Sequence, residues 1–379
     1  MMGCIAVQDL VRSEGVDEVV IADLDPERAE EVAAILDSPK ISRAQIDVRD
    51  HEALVSLLRH SDACLNATVY YFNLEVMGAC LEAGAHYTDL GGLFHTTLKQ
   101  LQLHQQFQSA GLSAVLGMGS APGIPNVQSR YAADRLDTLD HIRIYDGIKP
   151  PPPDEVAFSY AVPTILDELT MPPVVYRDGE YVSGEPLSEF EDYWFTPPLG
   201  LLPVHLSLHS EVATLPASFR DKGLRECVFK INHWGMAPET VEKVKVLVDF
   251  GFASRDPVEL GRASVVPRDL LVAMLGNYVP SVASFLEPPA NRRPKWTKEI
   301  VTEVKGTRYG GTVTYRLGTL TVKGALPTGV APSIASQWLA RGRLPPGVHP
   351  PELVLDPEPF FQELETRGIR TQVSVTEFL

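Results

Sequence analysis

The chain is short of positive charge: 33 lysines and arginines stand against 49 aspartates and glutamates, a formal net charge of −16 over 379 residues. That balance repels phosphate backbones and anionic lipid, and no basic cluster interleaved with aromatics offsets it. Nucleic acid and membrane surfaces are therefore excluded as partners. Cysteine is scarce. Cys4, Cys64, Cys80 and Cys227 are scattered with no C-x-x-C pair, so neither a disulfide framework nor a zinc site is expected, and no histidine pattern suggests another metal. No apolar run approaches the roughly 20 residues that cross a bilayer, and the first residues lack a charged stretch leading into a hydrophobic one. A soluble protein of the reducing cytoplasm is the expectation. No G-x-S-x-G or other nucleophile–base constellation is visible, and the front of the chain lacks a strand.

What is present is an apolar content of 44%, enough for a sizeable core, over a length that suggests two domains. From Gly3 to Gly117 short apolar runs alternate with segments of helical period, the signature of βαβ units and a parallel sheet. The runs are Val19–Ala22, Ala44–Ile46, Ala63–Leu65, Tyr87–Leu90 and Ser113–Leu116. Asp25-Pro26-Glu27 and Asp50-His51-Glu52 are helix starts, and Gly84 and Gly111 close helices over Leu74–Ala83 and Leu98–Ala110. After Gly117 the texture changes. Pro122, Pro125 and the Pro150–Pro153 run bring loops, and strands that alternate apolar with polar residues indicate an antiparallel or mixed sheet. A hairpin is expected at Asp178-Gly179, and strands at His141–Tyr145, Val204–Glu211, Glu226–His233, Lys243–Phe250, Ile300–Lys305 and Thr312–Leu317. Helices return at Ile334–Leu339 and after Asp356.

Several residues are placed to carry chemistry. Gly3 and Asp23 stand where the last glycine of a dinucleotide-binding fingerprint and the acidic residue about 20 positions on would stand; alone they could be a chance glycine and the end of a strand, and the five strands that follow favour the fingerprint. The front strand and its first two glycines are then expected to lie in about ten residues before Met1. Asp23 favours NAD by repelling a 2′-phosphate, while the nearby Arg28 leaves NADP open. Asp47 and Val48 end the next strand, beside the adenine or as turn residues. Asn66 and Thr68 lie past a strand end, where an open α/β sheet holds its ligand, and serve a ribose or nicotinamide or ordinary turn chemistry. Tyr70 is either a phenol beside the nicotinamide or half of a core aromatic pair. At period two, His205, Ser207, His209 and Glu211 share one strand face, with His209 and Glu211 about 7 Å apart. That face is solvated or flanks a substrate.

Met2-Gly3, Ala22-Asp23, Asn66-Ala67, Thr88-Asp89-Leu90-Gly91-Gly92, Ala121-Pro122-Gly123-Ile124, Pro267-Arg268-Asp269 and Pro351-Glu352 resemble the saccharopine dehydrogenase family, most closely its single-chain members of the L-lysine 6-dehydrogenase type. The resemblance runs nearly end to end. It implies an α/β architecture: a Rossmann NAD(P)-binding domain over 1–120, an inserted α+β substrate and dimerisation domain over 121–325, and a segment 326–379 whose helices return to the Rossmann side. A homodimer is implied. So is hydride transfer at an amine-bearing carbon of lysine or a lysine-derived amino acid, with a carboxynorspermidine or polyamine-type dehydrogenase as the alternative. A non-catalytic scaffold or ligand sensor is the alternative of another class.

An ammonium of pKa about 10.4 must lose its proton before hydride leaves. Asp89, His209, Glu211 and Asp146 are the candidate bases, in that order, and Asp146 also the substrate-binding strand exit. Arg220, Arg225 and Arg316 are the candidates for a substrate carboxylate. Two departures fall in the substrate domain and put lysine itself in doubt: Asn232-His233-Trp234-Gly235-Met236 replaces an Arg-x-x-Gly-His stretch, and Glu211-Val212 stands ahead of Thr214 in place of small residues.

Overall fold

The computed structural model describes residues 2–152, 155–279, 281–286 and 297–378; the end of the proline run, Pro153, lies outside them. The first layer carries β1 (Val19–Asp23), β2 (Ile41–Gln45), β3 (Ala63–Asn66), β4 (His86–Asp89) and β5 (Ser113–Val115). All of their pairings are parallel: β1 with β2, and β3 with β4 with β5. Between β1 and β3 there is no ladder, and residues of both strands line one continuous cleft. The connecting helices start as their capping residues dictate. Asp25 accepts from the Glu27 N–H and Asp50 from the Ala53 N–H, and Gly84 closes its helix at φ 84°.

The expected helix over Leu98–Ala110 is instead two, Leu93–Leu101 and His104–Ser109. It begins earlier because Thr97 and Gln100 turn inward, and the break at 102–103 lets Phe107 reach full burial.

The second layer holds β6 (Thr138–Ile148), β7 (Val174–Arg177), β8 (Glu180–Ser183), β9 (Glu191–Trp194), β10 (Leu201–Leu206), β11 (Glu226–Ile231), the small hairpin β12 (Val258–Leu260) and β13 (Ala263–Val265), then β14 (Lys298–Arg308), β15 (Gly311–Thr321) and, after β16 (Gly347–His349) of the first layer, β17 (Thr371–Phe378). Its main sheet runs β17-β15-β14-β6-β11-β10-β9, with the β7–β8 hairpin attached to β11. The sheet is mixed, since β11 is parallel to β6 while β14 is antiparallel to it. Ile142, Ile144, Ile300 and Leu317 bury one face of it beneath the helices Val162–Thr170 and Pro238–Asp249.

Two expected strands are corrected. The segment Val204–Glu211 leaves the sheet at Leu206, and Glu211 opens the helix Glu211–Ser218. The alternation misled because His205, Ser207, His209 and Glu211 are all buried: the polar residues belong to an internal hydrogen-bonded cluster, not to a strand face. Lys243–Phe250 lies in the helix Pro238–Asp249, where Val241 and Val244 pack inward with Leu247 and Val248 at helical period. The end of the chain serves both layers. Helix Leu326–Ala340 packs on Met2–Arg12 and β16 extends the Rossmann sheet beside β5, but β17, unforeseen in the sequence, crosses back to pair with β15.

Candidate active site

A cleft of about 1400 Å³ runs along the gap between β1 and β3, from Asp17 and Asp62 at their amino ends to Asp23 and Asn66 at their carboxyl ends, and is closed on its far side by the second layer. Its volume includes that gap between the strands.

Gly3, Asp23, Asp47, Val48, Asn66 and Thr68 all line its first-layer half. Asp23 ends β1 with Oδ1 accepting the Asp25 N–H at 2.9 Å, which turns the carboxylate across the strand end where ribose hydroxyls would reach it. The Arg49 guanidinium bonds both oxygens of Asp47 and holds its carboxyl down to about 2. Asn66 differs from expectation. Its amide donates to Asn73 Oδ1 and Tyr87 Oη and its oxygen accepts the N–H and hydroxyl of Thr68, so the pair shapes the 66–68 turn and leaves no free amide for a ligand.

Asp89, first among the expected bases, does not line the cleft. It is 1% exposed, with Oδ1 accepting the Gly91 and Gly117 N–H groups and Oδ2 accepting from Tyr87, Gln100 and Asn73. Burial pushes its carboxyl up against those donors, and a carboxylate with both oxygens so engaged is an architectural group. It pins the Asp-Leu-Gly-Gly turn to the Ala-Pro-Gly-Ile turn: a Cβ on Gly91 would meet Pro122 Cγ at 2.7 Å. Tyr70 is likewise committed. Its hydroxyl donates to Asp167 at 2.8 Å, joined there by Tyr71, and Asp167 is paired with the buried Arg268 at 2.6 Å. Burial and the Asp167 carboxylate push the Tyr70 phenol far above its usual range, which removes it as a proton relay and makes it a tie between the layers.

The substrate half gathers around His209. Its ring stacks on Phe229 at 3.7 Å between centroids, and Nδ1 donates in a short contact to Glu211, which is fully buried at the start of its helix. The two residues touch rather than flank a substrate. Nε2 has no hydrogen-bond partner among the described residues, and His209 lines the cleft. Burial works against protonating this ring, but the carboxylates of Glu211, Glu168 and Asp146 outweigh it and raise its pKa above the ordinary histidine value.

Asp146, near the end of β6, pairs through Oδ2 with Lys298 Nζ at 2.8 Å, and burial raises its carboxyl against that cation. Lys298 lines the cleft at its substrate end, whereas the three expected arginines do not line it. Arg225 is exposed and paired with Asp178, Arg220 is exposed, and Arg316 pairs with Glu299 on the second sheet. Two further groups had no signal in the sequence. Glu168, within the helix Val162–Thr170, and Lys298, the first residue of β14, reach the site only through the packing of distant segments.

Residues 1–115 match the family model described as the saccharopine dehydrogenase NADP binding domain, and residues 119–369 the one described as the saccharopine dehydrogenase C-terminal domain. The carboxyaminopropylagmatine dehydrogenase of Synechocystis sp. is 24% identical over 392 residues, covering 97% of this chain and 94% of that protein. The carboxynorspermidine synthase of Vibrio cholerae serotype O1 is 26% identical over 256 residues, 63% of this chain and 59% of that one. Among solved structures, the apo saccharopine dehydrogenase (L-Glu forming) of Saccharomyces cerevisiae has a TM-score of 0.69 at 17% identity, over 99% of this chain and 98% of that one, so the fold is shared. Together the two matched models span both layers and the cleft between them, and the chain belongs to the saccharopine dehydrogenase family of NAD(P)-dependent oxidoreductases.

Proposed function

We propose that this dehydrogenase makes or oxidises the C–N bond of an N-(carboxyaminopropyl) amine, with His209 moving the proton at the nitrogen. The observation that carries the reading is His209 itself, with Nδ1 held by buried Glu211 and Nε2 unbonded at the cleft. The bound nicotinamide supplies hydride transfer at the amine-bearing carbon. His209 takes the proton of the secondary ammonium in oxidation and returns it in reduction. Glu211 fixes the ring tautomer and stabilises the imidazolium, and stacking on Phe229 fixes its plane. Lys298 lies at the substrate end of the cleft, suited to a substrate carboxylate.

The names of the two relatives support the amine class, because both acted-on molecules carry a carboxylate at one end and a polyamine-type cation at the other. Four cysteines, none of them in a disulfide, fit the reducing cytoplasm. The exposed Val373, Val375 and Phe378 of edge strand β17 fit a homodimer. Nicotinamide absorbance decides the matter. N-(carboxyaminopropyl)agmatine and carboxynorspermidine are expected to give kcat/KM at least about tenfold above lysine and saccharopine, a gap of about 1.4 kcal/mol. Equal or better turnover of lysine sinks the reading.

A further inference from the structure

Glu168 is 2% exposed and lines the cleft beside His209. Its Oε2 accepts Ser207 Oγ at 2.8 Å and Trp234 Nε1 at 2.8 Å, and its Oε1 accepts Tyr160 Oη at 3.0 Å. All three donors are neutral. The indole arrives by a costly route, since His233 and Trp234 both hold left-handed backbone, φ 45° and 52°, in a non-glycine turn. Strain of that kind costs of order 1–3 kcal/mol per residue and persists where surrounding contacts enforce it. Here the turn is tied down by Asn232, whose amide bonds both the N–H and the C=O of Ile148.

The charges around Glu168 do not balance within the chain. Asp146 is paired with Lys298 and His209 with Glu211, whereas no cation among the described residues forms an ion pair with Glu168. A second and independent sign of an absent partner is the hydrogen-bond inventory. Asp146 Oδ1 and Glu211 Oε1 are buried with no hydrogen-bond partner among the described residues. Asp146, only 3% exposed, is part of the cleft wall. Three carboxylates against two cationic side chains, with two carboxylate oxygens unused, is an arrangement a bound cation completes.

We infer that Glu168, held by Trp234, Ser207 and Tyr160 and backed by the unpaired Oδ1 of Asp146, is the subsite for the cationic amine half of the substrate, an alkylammonium or guanidinium group. The inference rests on the reading above for the chemistry at His209, but it concerns recognition. A carboxylate at this place selects a second positive charge on the amine: burial raises its carboxyl, the neutral donors oppose that rise and aim the group without cancelling a charge, and a bound cation favours the ionised form. It also accounts for the Asn232–Met236 stretch: the segment carries the indole that positions Glu168 rather than a basic residue that would neutralise it.

The test is calorimetric titration of the full chain, loaded with NADPH, using putrescine, agmatine and n-butylamine as probes. Wild type is expected to bind putrescine or agmatine at least about 30-fold more tightly than n-butylamine. Glu168→Gln is expected to abolish that preference while leaving NADPH affinity unchanged. Glu168→Asp, which keeps the charge, retains part of it if the glutamine variant fails to fold. A wild type with no preference, or a folded Glu168→Gln that keeps it, overturns the inference. Nicotinamide turnover of N-(carboxyaminopropyl) amines is followed separately: a preference erased by Glu168→Gln without any such turnover supports the subsite and sinks the proposed reaction, and turnover with the preference intact in Glu168→Gln does the reverse.

Discussion

The carboxylate of Asp89 receives the backbone N–H of Gly117 at 2.7 Å, joining the exit of β4 to the exit of β5. Through the same oxygen it holds Gly91 at 2.9 Å, so one side chain sets the separation of the two glycine turns at the mouth of the cleft. This makes Asp89 a stability residue with an indirect effect on catalysis. Asp89→Asn replaces an acceptor by an amide donor facing N–H and O–H groups, and is expected to cost about 2–4 kcal/mol. Chemical denaturation measures that loss. A variant as stable as wild type but lacking turnover would return Asp89 to the role of base.

The proton transfer proposed for His209 implies a pH dependence. Its raised pKa means that the imidazolium persists above the usual value of about 6.5. Oxidation of the amine needs the neutral ring, so kcat/KM in that direction is expected to rise as pH increases through the shifted pKa, and the reductive direction to fall. Glu211→Gln removes the charge that lifts the ring, and both limbs are expected to move to lower pH. An unmoved limb in pH–rate profiles of this variant would take His209 out of the reaction.

Lys298 and Arg225 separate the carboxylate anchor proposed above from one expected in the sequence. Arg225 makes an exposed pair with Asp178 that solvent and salt screen. Arg225→Ala is expected to leave KM and stability within experimental error. Lys298→Gln takes away the cation at the substrate end of the cleft and is expected to raise KM for a carboxylated substrate by about 10- to 100-fold. Steady-state kinetics on the two variants reverses the assignment if Arg225 proves the costly one.

Much of the first layer was readable in advance because its parallel strands are short solid apolar runs, buried throughout in β5 and with one face open in β1. Val19–Ala22 and Ser113–Leu116 became β1 and β5 nearly at the expected bounds. The residues expected at a cofactor lie near strand ends fixed by local signals, and they line the cleft. The second-layer half was less readable. His209 and Glu211 were singled out as a pair from a strand pattern that does not exist beyond Leu206, because a buried polar cluster mimics the alternation of a half-solvated strand. Lys298 meets Asp146 through the β6–β14 ladder, across a separation that local patterning does not register. Glu168 looked like any surface glutamate on a short helix until Trp234, Ser207 and Tyr160 were brought around it.

Asp167 and Arg268 mark the remaining joint between the layers. Asp167 is 2% exposed and takes Tyr70, Tyr71 and Arg268 onto its two oxygens, with Arg255 reaching it from a more exposed position at 3.3 Å. Tyr70 and Tyr71 follow β3, whereas Asp167 neighbours Glu168 on its helix, so the cluster ties the helix that carries Glu168 to the exit of β3. Removing one partner of a buried ion pair costs about 3–5 kcal/mol, moderated here by Arg255. Arg268→Ala is therefore expected to lower stability by about 3 kcal/mol. Tyr70→Phe keeps the ion pair and removes one donor, so it is expected to cost about 1 kcal/mol. If the joint sets the spacing of the two halves, Tyr70→Phe also lowers kcat with little change in coenzyme affinity, whereas a tyrosine acting on the proton would remove the basic limb of the pH–rate profile. Loss of that limb in Tyr70→Phe would restore the phenol to the chemistry and set aside the structural role assigned to it.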